Sequence, residues 1–254
     1  MNNTKNLLSA IVISVSLAIG GCTSHDINAG VGIAANLFKG ATITNEQLAA
    51  QARLSARAMD RKIPVAPPGS RYARRLNRLT RNLRHYDGLN LNYKVYLSKK
   101  INAFAMPDGS VRVYSGLMDI MNDDELLSVI GHEIGHVKHR HSLNQYRKIY
   151  LAKAATMGVA AYGGSTVGAL AGSYGNIGLA FVQAQFSQHD ELEADTYGVH
   201  LLKRIGRNPY AAAAAQRKLM AKAGANRGGL FSSHPPTTER IKKTTQIADR
   251  LTGK

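Results

Sequence analysis

The apolar pattern of the chain is helical, then alternating, then helical again. Thr44-Asn45-Glu46-Gln47 has the form of a capping box, with Thr44 as cap and Gln47 reaching back, and predicts a helix to about Arg61. Pro64, Pro67, Pro68 and Gly69 break it. A second helix should begin at Ser70, because Tyr72, Leu76, Leu79 and Leu83 recur at helical spacing. The period then falls to two. Asn92 to Leu97 alternates and is rich in Tyr and Val, which predicts a strand. Residues 102–106 and 110–114 read as two more, joined into a hairpin by Pro107-Asp108-Gly109. After Ser115-Gly116 the pattern is helical to the end. Asn122 can cap a helix whose first turn, Asp123, Asp124 and Glu125, complements the helix dipole. The expected fold class is therefore α+β, mainly α-helical, with a small sheet or hairpin before a long helix.

Two stretches lack this order. Residues 23–43 are small and Gly/Ala-rich, and read as a tether or a loosely packed first helix. Residues 154–188 hold no Lys, Arg, Asp or Glu, which raises the question of a membrane span. Seven glycines between 158 and 178, with Ser, Thr, Asn and Gln among them, make the stretch too polar and too broken for one. It reads as two small-residue helices around a Gly-rich loop.

Composition narrows the setting. A 254-residue chain that is 44% apolar and 19% charged suits one globular domain. The net charge of +17 favours anionic partners. Lys5 followed by the uncharged run Leu7 to Ile19 reads as an export signal, too short to span a bilayer. Its end, Ile19-Gly20-Gly21-Cys22, resembles a bacterial lipobox. That resemblance implies cleavage before Cys22 and a diacylglycerol on its sulfur; Cys22 is also the only cysteine, so no disulfide is expected. Thr23 stands where an aspartate would signal inner-membrane retention, which points to the outer membrane, on its periplasmic face. Export leaves phospholipid and acidic envelope polymers as the anionic partners and excludes nucleic acid. Arg71, Arg74, Arg75, Arg78, Arg81 and Arg84 could hold a face against lipid head groups, each contributing roughly 1 kcal/mol, or could simply form a solvated helix face. The chain thus divides into a signal peptide (1–21), a lipidated tether with N-terminal helices (22–69) and a main domain (70–254).

The chemistry sits in His132-Glu133-Ile134-Gly135-His136. Histidines four apart on a helix project from one face and can chelate one divalent cation. Glu133 lies beside them, placed to hold a water, and Gly135 leaves room near the cation. A catalytic zinc takes three protein ligands and keeps one position open. The third is sought in Glu191-Leu192-Glu193-Ala194-Asp195. If this stretch is helical, Glu191 and Asp195 share a face, with Glu191 as ligand and Asp195 accepting a hydrogen bond from a ligand imidazole. Alone, it reads equally as an acidic turn in a basic protein; beside the histidine pair the ligand reading prevails. Two imidazoles and a carboxylate suit zinc, one ion per chain. Glu133 would take a water proton as general base and pass it to the leaving amine. His139 reads as a helix-end histidine favoured by the dipole, and His141 is left open.

His-Glu-x-x-His followed by Glu-x-x-Ala-Asp resembles the gluzincin metallopeptidase family of HtpX and the CAAX prenyl proteases, and with the lipobox most of all its bacterial outer-membrane lipoprotein members. The resemblance implies a zincin-type metalloprotease domain over 70–254. It implies that Asn102, Ala103 and Phe104, on a hairpin running to Tyr114-Ser115-Gly116-Leu117, bind an extended peptide as an added strand. It further implies that His234, in Ser233-His234-Pro235-Pro236, stabilises the oxyanion, and that Arg240 positions His234 or binds substrate. Where the family often has Ser-Arg before the glutamate, this chain has Ser187-Gln188, which puts a local salt bridge in doubt. The implied activity is a zinc-dependent endopeptidase acting on unfolded or misfolded envelope proteins. The rivals are a non-catalytic periplasmic chaperone or assembly lipoprotein on the same fold, and a lipoprotein that only tethers envelope layers. A degenerate relative should have lost one of His132, Glu133, His136 or Glu191, and all four are present.

Overall fold

A computed structural model describes residues 42, 44–145, 185–223 and 230–254. The expected signal peptide, Cys22, most of the 23–43 tether and the Gly-rich stretch up to residue 184 lie outside the described residues. No described helix is long and apolar enough to cross a membrane.

Helix α1 (Asn45–Lys62) begins at the capping box read from the sequence, with both reciprocal bonds made. Helix α2 (Arg71–Thr80) is capped by Ser70 and continues into a 3-10 turn, Arg81–Leu83. It buries Leu76 and Leu79, and Leu83 follows on the turn. Its arginine face is only partly solvated. Arg75 is half-buried, pairs with Asp123 at 2.8 Å and donates to the carbonyls of Met118 and Met121. Arg78 meets the same Asp123 at 2.9 Å.

Two short strands, β1 (His85–Tyr86) and β2 (Leu89–Asn90), form a hairpin across Asp87-Gly88, both at positive φ. The main sheet contains β3 (Asn92–Tyr96), β4 (Ala103–Ala105) and β5 (Ser110–Tyr114) in the order β3-β5-β4. The hairpin predicted from Pro107-Asp108-Gly109 pairs β4 with β5 antiparallel. Gly109 has φ 82°, and a Cβ there would lie 2.0 Å from the Asn90 carbonyl oxygen, so the turn requires glycine. Strand β3 pairs with β5 in parallel, Asn92 opposite Ser110. Among the described residues β4 pairs only with β5. An ion pair ties α1 to this sheet: Asp60 accepts from Arg112 (2.8 and 3.0 Å), Lys94 (2.7 Å) and Tyr96 (2.8 Å). Tyr96, Phe104 and Tyr114 pack beneath α1 with Ala52 and Ala56.

The remaining described elements are helical. They are α3 (Ser115–Ile120), α4 (Asp123–Lys138), α5 (Gln188–Arg204), α6 (Ala211–Ala223), the single turn α7 (Leu230–Ser233) and α8 (Thr238–Thr252). Asn122 and Ser187 close capping boxes on α4 and α5. Helices α4 and α5 approach along a seam of small residues. A Cβ on Gly131 would lie 3.1 Å from Gly198 Cα, and one on Gly135 would lie 2.9 Å from Ala194 Cα. The space that Gly135 provides is therefore for the neighbouring helix, not for a cation. This close approach carries the face of α5 onto that of α4, and the core of Leu126, Ile130, Ile134, Val199 and Leu202 fills in around it.

Candidate metal centre

His132, Glu133 and His136 lie on α4 and are 6%, 2% and 1% exposed. Glu191 and Asp195, one turn apart on α5, are equally buried and face them. His132, His136, Glu191 and His234 each offer one side-chain donor atom, and these four atoms lie within 4.8 Å of one another. His132 Nε2 stands 3.0 Å from His136 Nε2, and Glu191 reaches them at 3.6 and 3.3 Å. His234, on the turn that follows α7, brings Nδ1 to 2.8 Å from Glu191 Oε1 and 3.2 Å from His132 Nε2.

Such crowding fits a cation. Imidazole nitrogens that converge without room for a proton on each are acceptors with nothing to accept from, a costly arrangement in a buried site. A soft-to-borderline divalent ion satisfies them together, and histidine with carboxylate is the donor set that zinc takes. The expected ligands thus meet, and the structure adds His234 Nδ1 to the same cluster.

Each donor is held from behind. His132 Nδ1 lies 2.8 Å from Asp195 Oδ1, the partnership expected of a ligand imidazole. Asp195 in turn accepts from Arg240 Nε and Nη2, both at 2.7 Å. Arg240 Nη1 pairs with Glu191 at 2.6 Å and donates to the Pro235 carbonyl at 3.1 Å. Arg240 was expected at the substrate or beside His234. It is 8% exposed, with its guanidinium committed to the two α5 carboxylates and to the turn carrying His234, a bracing position. Charge explains the location: two buried carboxylates on one helix face need a buried cation. Burial would raise the Asp195 pKa, but the bonds from Arg240 and His132 outweigh it and hold it at about 2. Burial also acts against Glu191 ionising, and His234, His132 and His136 overcome it, leaving its pKa far below the usual carboxylate range.

Glu133 differs. Burial raises its pKa, more than His234 and His132 lower it. Its Oε2 accepts from the Ala105 backbone N–H at 3.1 Å, while its buried Oε1 has no hydrogen-bond partner and lies 3.6 Å from His234 Nε2. That bond sets Glu133 beside the outer edge of β4. Tyr114 N–H donates to the Asn102 carbonyl and Met106 N–H to Ser110, so residues 102, 104 and 106 bond inward to β5. By alternation Ala103 and Ala105 turn their backbone groups outward. Asn102, Ala103 and Phe104 are 4%, 1% and 5% exposed. Phe104 belongs to the aromatic packing under α1.

His141, left open by the sequence, and His139, read as a helix-end histidine, join the rim of the site. His141 is 3% exposed, with Nδ1 2.9 Å from His136 Nδ1 and Nε2 3.0 Å from Glu193 Oε2. His139 pairs with the same Glu193 at 3.3 Å. Phe186 stacks on His136 at 4.0 Å between ring centroids and on His234 at 5.3 Å.

Known proteins match this chain closely. The model of peptidase family M48 matches residues 70–248. The metalloprotease LoiP of Escherichia coli (strain K12) is 37% identical over 245 residues, 96% of each chain. The metalloprotease YcaL of the same organism is 37% identical over 254 residues, 99% of this chain and 98% of its own. The beta-barrel assembly-enhancing protease of Yersinia pestis is 28% identical over 96% of this chain and 53% of its own length.

Proposed function

The chain belongs to peptidase family M48 and is a metalloendopeptidase, and on that premise we propose that it cuts unfolded or misfolded envelope proteins, using one zinc ion held by His132, His136 and Glu191. The observation that carries this reading is Glu133: buried, with one carboxylate oxygen fixed by Ala105 and the other without a hydrogen-bond partner, between the donor cluster and the outer edge of β4.

Zinc, when bound, supplies Lewis acidity, making water acidic near neutral pH and polarising a carbonyl. The chain's own residues supply the rest. A peptide lies along β4 as an added strand, held by the outward backbone groups around Ala103. This contact reads main chain, which suits clients whose backbone is exposed. Glu133 Oε1 takes a proton from the attacking water, helped by a carboxyl that burial makes more basic than usual, and returns it to the leaving amine. His234 is the oxyanion partner: burial lowers its proton affinity, and Glu191 and Glu133 more than reverse that, which favours a proton on the ring. Asp195 fixes the His132 ring, and Arg240 braces Asp195, Glu191 and the His234 turn.

The proposed setting is the periplasmic face of the outer membrane, with the mature chain tethered through lipid on Cys22. The Ile19-Gly20-Gly21-Cys22 sequence supports this. The exposed Arg71, Arg74, Arg81 and Arg84 would add attraction to acidic head groups. A relative named for enhancing beta-barrel assembly supports a clientele of envelope proteins.

The test compares wild type, Glu133→Gln and chelated wild type on casein and on an unfolded outer-membrane β-barrel protein. Wild type should cleave both. Glu133→Gln should bind zinc yet leave both intact, and the chelated sample should be inactive until zinc is restored. Equal behaviour of all three would refute the catalytic reading and favour a chaperone. Cys22→Ala should release the chain from membranes, and continued attachment would refute the lipid anchor.

A further inference from the structure

We propose that His141 and Glu193 form a positioning relay for the metal ligand His136, so that the two imidazole ligands are oriented by different devices. The proposal rests on the metal reading above. It starts from an asymmetry. His132 meets the ionised carboxylate of Asp195 at 2.8 Å, while the equivalent nitrogen of His136 meets another imidazole, His141, at 2.9 Å.

The proton positions along this chain follow from one requirement. His136 turns Nε2 toward Glu191 and His132, so Nε2 must keep its lone pair free for the ion. Its proton is then on Nδ1, and His136 donates. His141 Nδ1 must accept, so it carries no proton. The single proton of His141 therefore sits on Nε2, which points at Glu193 Oε2 at 3.0 Å, with Asp190 Oδ1 at 3.7 Å. Glu193 accepts and closes the relay. No other tautomer of His141 satisfies both contacts while His136 serves the ion.

Local backbone explains how a residue just past α4 reaches back. Helix α4 ends at Lys138, and Arg140 takes a left-handed turn at φ 59° that folds His141 behind His136. His141 is thereby 3% exposed, while the Glu193 side chain is 40% exposed. A neutral imidazole is a weaker acceptor than a carboxylate, and the surface carboxylate at the end of the relay polarises it. Glu193, on the α5 face away from Glu191, thus acts on the opposite histidine ligand.

The first measurement needs no variant. Long-range 1H–15N correlation of the imidazoles in the zinc-loaded wild-type protein should show neutral His141 protonated on Nε2, and His136 protonated on Nδ1. His141 protonated on Nδ1, or on both nitrogens, overturns the relay. The second measures zinc affinity by chelator competition, alongside melting of the metal-free protein. His141→Leu should weaken zinc binding about 10- to 100-fold. His141→Asn, whose amide oxygen can occupy the Nδ1 position, should recover most of that loss. Glu193→Gln, on the surface, should fall between wild type and His141→Leu. Unchanged affinity in His141→Leu with unchanged metal-free melting would overturn the proposal, as would an Asn variant no better than the Leu variant. Should the Leu variant not fold, the wild-type spectrum still decides. A wild-type protein that takes up no zinc would overturn the metal reading as well, which separates the two failures.

Discussion

Gly135→Ala tests whether the seam between α4 and α5 sets the metal geometry. The added Cβ would lie 2.9 Å from Ala194 Cα, 3.1 Å from its carbonyl oxygen and 3.1 Å from Tyr197 Cβ. Carbon–carbon contacts are optimal at about 3.5–4.0 Å. The helices must therefore separate locally by about half an ångström or more, and the obstacle is backbone that cannot rotate away. Overpacking of this kind costs about 1–3 kcal/mol. Alanine recovers about 1 kcal/mol of helix propensity relative to glycine. The net loss of stability should be roughly 0–2 kcal/mol, small enough for the variant to fold. The effect on metal binding should be out of proportion to that. Ala194 lies on α5 between Glu191 and Asp195, so the shift moves both carboxylates relative to His132 and His136, while ligand distances tolerate about 0.2 Å. Zinc affinity should fall at least about tenfold, the low end of the loss seen when ligands are left poorly supported. Chelator competition measures the affinity and urea unfolding of the metal-free protein measures the stability. Gly69→Ala, with nothing within 4 Å of the added carbon, is the control. A Gly135→Ala protein that matches wild type in zinc affinity and unfolds no earlier would refute the reasoning.

Three further outcomes follow from the buried charges. Arg240→Leu leaves Asp195 and Glu191 without their cation and should cost about 3–5 kcal/mol in the metal-free protein, less once zinc is bound; urea unfolding with and without zinc checks it, and an unchanged midpoint in both would exclude the bracing role. Asp195 has a folded pKa of about 2 against 3.8 unperturbed, so its contribution, about 2 kcal/mol, is complete above the unperturbed value and is lost as pH falls toward 2. The stability gap between wild type and Asp195→Asn should shrink by about half by pH 3; a gap that stays constant from pH 6 to pH 3 would contradict it. Asp60→Ala strands Arg112, 2% exposed, and should cost about 3 kcal/mol and loosen α1; urea unfolding and proteolysis between α1 and α2 report it, and a loss under about 1 kcal/mol would show that the pair is not needed.

What the sequence made legible was local. Capping at Thr44 and Asn122, the helix start near Ser70, the alternation of 92–97 and the Pro107-Asp108-Gly109 turn each depend on residues within a few positions of one another, and each appears in the structure. The i, i+4 pairs His132/His136 and Glu191/Asp195 were readable for the same reason: a helix turns spacing into a shared face. The hairpin at Asp87-Gly88 was equally local, its dipeptide being a strong turn signal, and was missed because two-residue strands leave almost no alternation to read. The rest depends on partners brought together by the fold. Alternation marks a strand but not its neighbour, so the parallel pairing of β3 with β5 had no signature. Asp60 and Arg112 are 52 positions apart, and charged residues read as surface until their partner is known. Arg240 shows how this bears on the site. As one more arginine in a basic chain it could be placed only by resemblance. Once α5 presents two buried carboxylates, electrostatics requires a cation behind them, and Arg240 supplies it from 45 positions beyond Asp195. His141 follows the same logic at shorter range: five residues past His136, it reaches back only because Arg140 adopts a left-handed turn that helical periodicity does not foresee. Motif spacing therefore identifies the groups that can bind an ion, while the groups that fix their protons and charges come from whichever elements the packing presents behind them.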